Sequence, residues 1–541
     1  MPDLRDTSVC IYDVERTDYP NAPFHPPEAY PEYPFKDSSL DPENTVYAAV
    51  RDMLYRLGLD KAHYGTPEWN PLGEIIKPGD KVVLKPNLVI SEHELGQIGI
   101  EASTVHGSVI RPFVDYTYIA LKGQGRITIG DSPIKEVDFP VIIQKMGVAD
   151  LYDYFQAQHP EVPLEVIDYR DLHVTRDARG VMVASRRLEG DQRGYTIMDL
   201  GHDSMFDEIV QHADRFRSTA AVYENAMSEV HNAEHHKYSF ATTILESDVF
   251  ICLAKLKTHR KAGVTLSLKN LVGLNNEKRW LPHHRAGRLS EGGDVLPDKA
   301  PVANLVHERL VDRFVSNKYG KYGFKLVMPV ARSGYRVMKG ALKVMGKEQA
   351  QIPWHEGDWY RNDTVWRMVL DLNHLLLYTD KHGHLTDTPQ RRYFSCIDGI
   401  LAGDKEGPLH PTPKPAGVLV SGFNPVAVDL ACIKLMGLDY RKIPLMMGVQ
   451  RVKRPLMFAR DIHELWKTLR ISSNKAEFLQ LQDAETRYFQ FEPSAGWKGH
   501  IELDAPAAPP PEPGARPATV RRRVPAPAPT PAPTPAPEGA D

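Results

Sequence analysis

The chain has 541 residues, enough for one large domain or two to three smaller ones, and its 42% hydrophobic and 25% charged content excludes a collagen, a coiled coil or a wholly disordered chain. A formal net charge of -4 argues against a dedicated nucleic-acid binder. The four cysteines, Cys10, Cys252, Cys396 and Cys432, form no C-x-x-C pair, so a disulfide framework, a thiolate zinc site and an iron–sulfur cluster are not expected. A cytoplasmic chain is expected, with no secretory signal at its start and no apolar run of about 18 residues to span a membrane.

In chain order, Ser8 to Tyr12 reads as a first strand. Asp41 as N-cap and Pro42 in the first helical position open a helix whose Val46, Ala49, Val50, Met53, Leu54 and Leu57 recur at helical spacing up to Gly58. Lys81 to Leu84 is a short apolar strand stopped at Pro86, Arg111 to Lys122 is helical, and Arg126 to Asp131 is a strand with a polar tip. A helix over Phe139 to Phe155 and strands at Leu164 to Ile167 and Val249 to Ala254 continue the alternation. Two later apolar segments, Phe394 to Gly399 and Gly417 to Gly422, each lead into a polar turn. The predicted fold class is α/β, with a largely parallel or mixed sheet of Rossmann-like β–α–β units.

The expected division is a core at 1–281 and 352–437, a basic amphipathic insertion at 282–351, a helical extension at 438–504 and a disordered tail at 505–541, where 13 of the 44 prolines fall. Arg332, Arg336, Lys339, Lys343 and Lys347 share one helical face. Such a face either meets an anionic membrane surface or an acidic partner, or is a solvated face of a helix packed on the domain.

Ligands of α/β sheets sit beyond the carboxyl ends of the strands. Four patterns lie at such places: Lys85-Pro86-Asn87-Leu88; Gly130-Asp131-Ser132-Pro133; Lys255-Leu256-Lys257-Thr258-His259 with Leu268-Lys269-Asn270-Leu271-Val272-Gly273; and Gly403-Asp404-Lys405-Glu406-Gly407-Pro408 with Asn424-Pro425-Val426-Ala427-Val428-Asp429. In this order and spacing the sequence resembles the DUF362 family over about Lys81 to Gly437. Many relatives read aspartate at the position of Asn424, and some append a cysteine-rich ferredoxin-type module that has no counterpart in this sequence. The stretch from Ala233 to Gly273 is also similar to LarA-type nickel-pincer enzymes, which racemise or epimerise 2-hydroxy acids. That similarity implies His259 as a metal ligand, and His231, His235 or His236 in proton transfer. The cofactor it implies is a divalent metal or a nickel-containing, nucleotide-derived group.

Read from the residues, Lys255, Lys257 and His259 share one side of an extended segment and concentrate positive charge. This suits a carboxylate or phosphate, and the neighbouring cations drive His259 toward its neutral form. Lys269 and Asn270 lie in the next segment, whose helical N-terminus could offer N–H donors to the same anion. The alternative is that Lys257 and His259 satisfy buried carbonyls and a carboxylate. Lys85 and Asn87 are either anion ligands or partners of a structural carboxylate, and Asp131 either binds a cation, assists proton transfer or caps a turn. Asp404, in a glycine-flanked turn, is a further ligand candidate, and Asp429 reads as a first-turn helix charge. His231 and His235, four apart, would share a helix face, which adds His235 to the metal candidates, whereas His283 and His284 read as surface residues.

Two functions follow as expectations. One is a cytoplasmic enzyme acting on a small anionic substrate or phosphorylated cofactor, as an isomerase or racemase in its most concrete form. Its catalytic candidates are His259, Lys257 and Asp131, its cofactor-binding candidates Lys85, Asn87, Lys269, Asn270 and Asp404, and its metal candidates His259 and His235. The other is a peripheral membrane or scaffold protein that acts through the basic helix at 332–347 and the proline-rich tail.

Overall fold

A computed structural model describes residues 3–35, 39–176, 182–219, 227–301, 304–306, 308–309 and 356–504. The basic stretch 332–347 and the tail 505–541 lie outside the described residues. The strands of the main sheet are β1 (Ser8–Asp13), β2 (Lys81–Pro86), β3 (Arg126–Asp131), β4 (Leu164–Asp168), β5 (Val249–His259), β6 (Gly263–Val264), β7 (Arg392–Glu406), β8 (His410–Gly422) and β9 (Arg470–Ser473). Their order is β9-β1-β8-β7-β5-β2-β3-β4, with β6 paired to the end of β5. Along this path only the pairs made by β8 are antiparallel. The sheet is therefore mixed but largely parallel, and the chain has the α/β fold expected of it.

Parallel strands must be covered on both faces, and the sequence supplies two apolar layers. On β5, Val249, Ile251 and Leu253 join the core of one face, while Phe250, Cys252 and Ala254 join that of the other. Helices α1 (Thr45–Arg56) and α3 (Gly107–Leu121) cover the first face. On the second lie α7 (Val365–Tyr378) and α8 (Pro425–Leu435), both buried along their whole length. Between these in the chain come α2 (Gln97–Ser103), α4 (Phe139–Lys145), α5 (Val148–Gln158) and α6 (Leu266–Asn270).

Several local expectations are corrected. Asn44, not Asp41, caps α1, because its side chain accepts from the Tyr47 N–H while Asp41 closes a turn that keeps Pro42 outside the helix. The helix expected over Phe139 to Phe155 is two helices. Gly147 breaks it at φ +70°, where a Cβ would also stand 2.4 Å from the Phe24 ring. Asp404 lies within β7 rather than in a turn, since the long β7–β8 hairpin continues to Glu406 opposite His410. The extension at 438–504, expected to be helical, also contains strand β9, which pairs with β1, and His284–Arg285 pairs with Phe216–Arg217. Among the described residues, no helix is long and apolar enough to cross a membrane.

Candidate functional site

Strands β2, β3 and β5 end side by side, and their final residues build one buried polar network. The Lys85 ammonium, fully buried, pairs with Asp131 at 2.7 Å and donates to Asn270 Oδ1 at 2.8 Å. Asn87 Nδ2 donates to the same Asn270 oxygen at 3.2 Å, and Asn87 Oδ1 accepts from Lys257 Nζ at 2.9 Å. Asn270 is held from below, its Nδ2 donating to the carbonyls of Lys85 and Leu253. Asp131 also accepts the N–H groups of Leu88 and Ser132, both at 2.8 Å. The network closes against Gly273, where a Cβ would stand 2.2 Å from Asp131 Oδ1 and 2.5 Å from Lys85 Nζ. Any side chain at that position would displace the ion pair.

Above this network is a cavity of about 390 Å³, a size suited to a small metabolite. Asn87, Asp131, Lys257, His259, Lys269 and Asn270 line it, joined by Lys278 and His283. At its rim the charges are paired: Lys135 with Glu277 at 3.0 Å, and Lys261 with Asp358 at 3.0 Å. Inside they are not. Lys257, Lys269 and Lys278 are 0%, 8% and 6% exposed, and none forms an ion pair among the described residues. Lys257 donates to Asn87 and to the Ser103 carbonyl, and Lys278 to the Val272 carbonyl at 3.1 Å.

The electrostatics follow from this imbalance. Burial, together with the charge of Lys85, pushes the Lys269 ammonium down to about 7. Burial lowers Lys278 to about 7 as well, against the pull of Asp131. Lys257 is held far below the usual lysine range by burial and then by the charges of Lys255, Lys269 and Lys85. Burial and the charges of Lys269 and Lys257 keep His259 neutral, and burial with Lys269 takes His283 down to about 3.

His259 has one orientation open to it. Its Nδ1 accepts the N–H groups of Lys261 at 3.0 Å and Ala262 at 3.2 Å, so in the neutral ring the proton sits on Nε2. His259 thus offers the cavity a donor and keeps its lone pair for the backbone. Lys255, two residues earlier, faces elsewhere: it pairs with Asp398 at 2.9 Å and donates to the Tyr19 hydroxyl at 2.7 Å. The α6 N-terminus is also occupied, because the Asp429 carboxylate accepts from the N–H groups of Ser267 and Leu268 at 2.8 and 3.0 Å. Those donors, expected for an anion, are spent within the chain, and Asp429 caps α6 rather than its own helix.

A family model described as a domain of unknown function, DUF362, matches residues 157–434, just over half of the chain. The chain belongs to the DUF362 family. No curated protein and no solved structure matches it, and the likeness to LarA-type enzymes is not shown by any of these comparisons. The DUF362 match contains β5, α6 and Lys257, Lys269 and Lys278, while Lys85, Asn87 and Asp131 lie before it.

The structure of this DUF362 chain brings together Lys85, Asn87, Asp131, Lys257, His259, Lys269 and Asn270, and it leaves out two candidates. Asp404 accepts from the Glu492 N–H at 2.7 Å and faces Lys414, away from the cavity. His235 is bound to Asp199 at 2.6 Å and is partly exposed, while His231 and His236 contact one another against Phe206. Among the described residues, no group of three or more His, Cys, Asp or Glu is placed to hold a metal. Lys278, which sequence reasoning passed over, and His283 sit in the segment after α6, where no periodicity marks an inward face. His283, expected at the surface, donates from Nδ1 to the Leu281 carbonyl and faces the cavity.

Proposed function

We propose that this DUF362 protein is an enzyme that binds a small anionic substrate, or a phosphorylated cofactor, in the cavity beyond β2, β3 and β5. The observation that carries this reading is the stranded positive charge of Lys257, Lys269 and Lys278. A buried ammonium without a counter-charge costs several kcal/mol, or sheds its proton. A phosphate or carboxylate among the three offsets that cost and draws the protons back. Lys85 is excluded from this role by its pairing with Asp131, so the pair acts as the floor that fixes Asn87 and Asn270.

The same arrangement supports chemistry on the bound anion. His259 Nε2–H is a neutral donor for a substrate oxygen on which negative charge builds, a role that needs no change of its protonation. Amines poised near neutrality exchange protons readily, so a proton transfer at a carbon beside that oxygen, as in an isomerase or racemase, is the reaction class these residues favour. The test is thermal denaturation of the full chain with inorganic phosphate, phosphate esters, and 2-hydroxy and 2-oxo acids. Anions that stabilise are then incubated with the protein in deuterated water and followed by NMR for exchange at carbon. Stabilisation and exchange that both disappear in Lys257→Met are expected, and a protein indifferent to every anion would refute the reading.

A further inference from the structure

Of the three lysines without a carboxylate partner, two have their amines engaged: Lys257 by Asn87 and the Ser103 carbonyl, and Lys278 by the Val272 carbonyl. The Lys269 amine has no hydrogen-bond or ion-pair partner among the described residues and lines the cavity. It stands on α6, whose start Asp429 fixes and whose end Asn270 ties to β2, so its backbone is held while its amine is left to the cavity. A structural lysine would be expected to spend its amine on a carbonyl or a carboxylate. One kept free and buried beside other lysines has the environment that makes an amine nucleophilic.

We infer that Lys269 is a nucleophile that forms an imine with a carbonyl compound bearing a carboxylate or phosphate. The inference rests on the anion-binding reading above: Lys257 and Lys278 seat the charged end of such a compound and its carbonyl group lies at Lys269, whereas a free anion such as sulfate is shared by all three lysines and returns the proton to Lys269. The lone pair of Lys269 Nζ adds to the carbonyl carbon and forms a C–N bond, while the π pair moves to oxygen, where His259 Nε2–H donates a hydrogen bond. The two protons leaving nitrogen end on that oxygen, which departs as water, and a C=N bond remains. No oxidant or reductant is consumed. The imine then withdraws electrons from the adjacent carbon, which eases loss of a proton or a carboxyl group there. Burial of Lys269 beside Lys85 supports the step by leaving a large fraction of the amine uncharged at neutral pH.

Reductive trapping tests this directly. The full chain is treated at neutral pH with limiting glyoxylate, an aldehyde that carries a carboxylate, and sodium cyanoborohydride, and the modified lysines are located by peptide mass spectrometry. Lys269 is expected to be modified on the order of a hundredfold faster than exposed lysines such as Lys122 and Lys381. Sulfate, added as a competitor, is expected to slow the modification of Lys269 and leave the exposed lysines unaffected. Label on exposed lysines with Lys269 untouched overturns the imine, and if sulfate still raises the melting temperature of that sample, anion binding stands without it. Rapid labelling of Lys269 that sulfate does not slow overturns the shared anionic site and, with it, the class of carbonyl compound assigned here.

Discussion

At the scale of single residues, the site is defined by which charges are answered. Lys85 is answered by Asp131, and Lys255 by Asp398, whereas Lys257, Lys269 and Lys278 are buried without a carboxylate among the described residues. Replacing Lys269 by Met removes a charge that the anion-free protein struggles to hold. Lys269→Met is expected to raise stability in denaturant by about 2 kcal/mol and to abolish stabilisation by sulfate, because an apolar side chain of similar volume escapes the desolvation penalty. Gly273→Ala is expected to lower stability instead, by about 2–3 kcal/mol, and likewise to weaken sulfate binding, since its Cβ meets both members of the Lys85–Asp131 pair. Equilibrium unfolding of the two variants reads both signs. Much of this cluster was legible in the sequence because Lys85, Asn87, Asp131 and Lys257 follow apolar runs, where polar groups near strand ends stand out. Asp404 misled because a β-hairpin was read as a turn, and His235 because its stretch forms no helix and its imidazole is taken by Asp199.

At the scale of elements, α6 is the part that turns a polar network into a cavity wall. It has only five residues, too short to hold itself, and Asp429 of α8 supplies the missing acceptors for its first N–H groups. Burial raises the Asp429 carboxyl to about 7 in spite of those bonds. Asp429→Ala is expected to lower stability by about 1–2 kcal/mol and to loosen Lys269, seen as faster amide hydrogen exchange across Leu266–Asn270. This cross-element cap could not be read from sequence, since 162 positions separate Asp429 from Ser267. The division of the helix at Gly147 was equally hidden, because apolar spacing alone does not report a positive φ. The parallel direction of β2, β3, β4 and β5, by contrast, followed from alternation: apolar runs separated by helical segments read as parallel strands, and they are.

At the scale of the whole molecule, a largely parallel sheet between two apolar layers places the ends of β2, β3 and β5 at one edge, where Lys257, Lys269 and Lys278 are buried without a carboxylate partner among the described residues. The edge strand β9, contributed from beyond residue 437, was not visible in a segment read as helical. The charge imbalance sets a pH dependence whose sign can be worked out. Lys269 and Lys278 sit near 7 in the folded chain and in the ordinary lysine range when unfolded, so between about pH 7 and pH 8.5 the unfolded chain holds protons that the folded chain has lost. Stability of the anion-free protein therefore rises with pH over that window. The buried carboxyls of Asp371 and Asp429, both raised to about 7, oppose the rise mainly below pH 7. A bound anion acts in the other direction, because it favours the ammonium forms that high pH removes. The most direct test of the anion site is thus thermal denaturation of the full chain from about pH 6.5 to pH 8.5, with and without sulfate, which stays fully ionised throughout. The expected result is a melting temperature that climbs with pH without sulfate, together with a sulfate increment that is largest at the acidic end, shrinks toward zero at the alkaline end and is absent in Lys269→Met. A sulfate increment that is independent of pH, or that survives in Lys269→Met, would contradict the account.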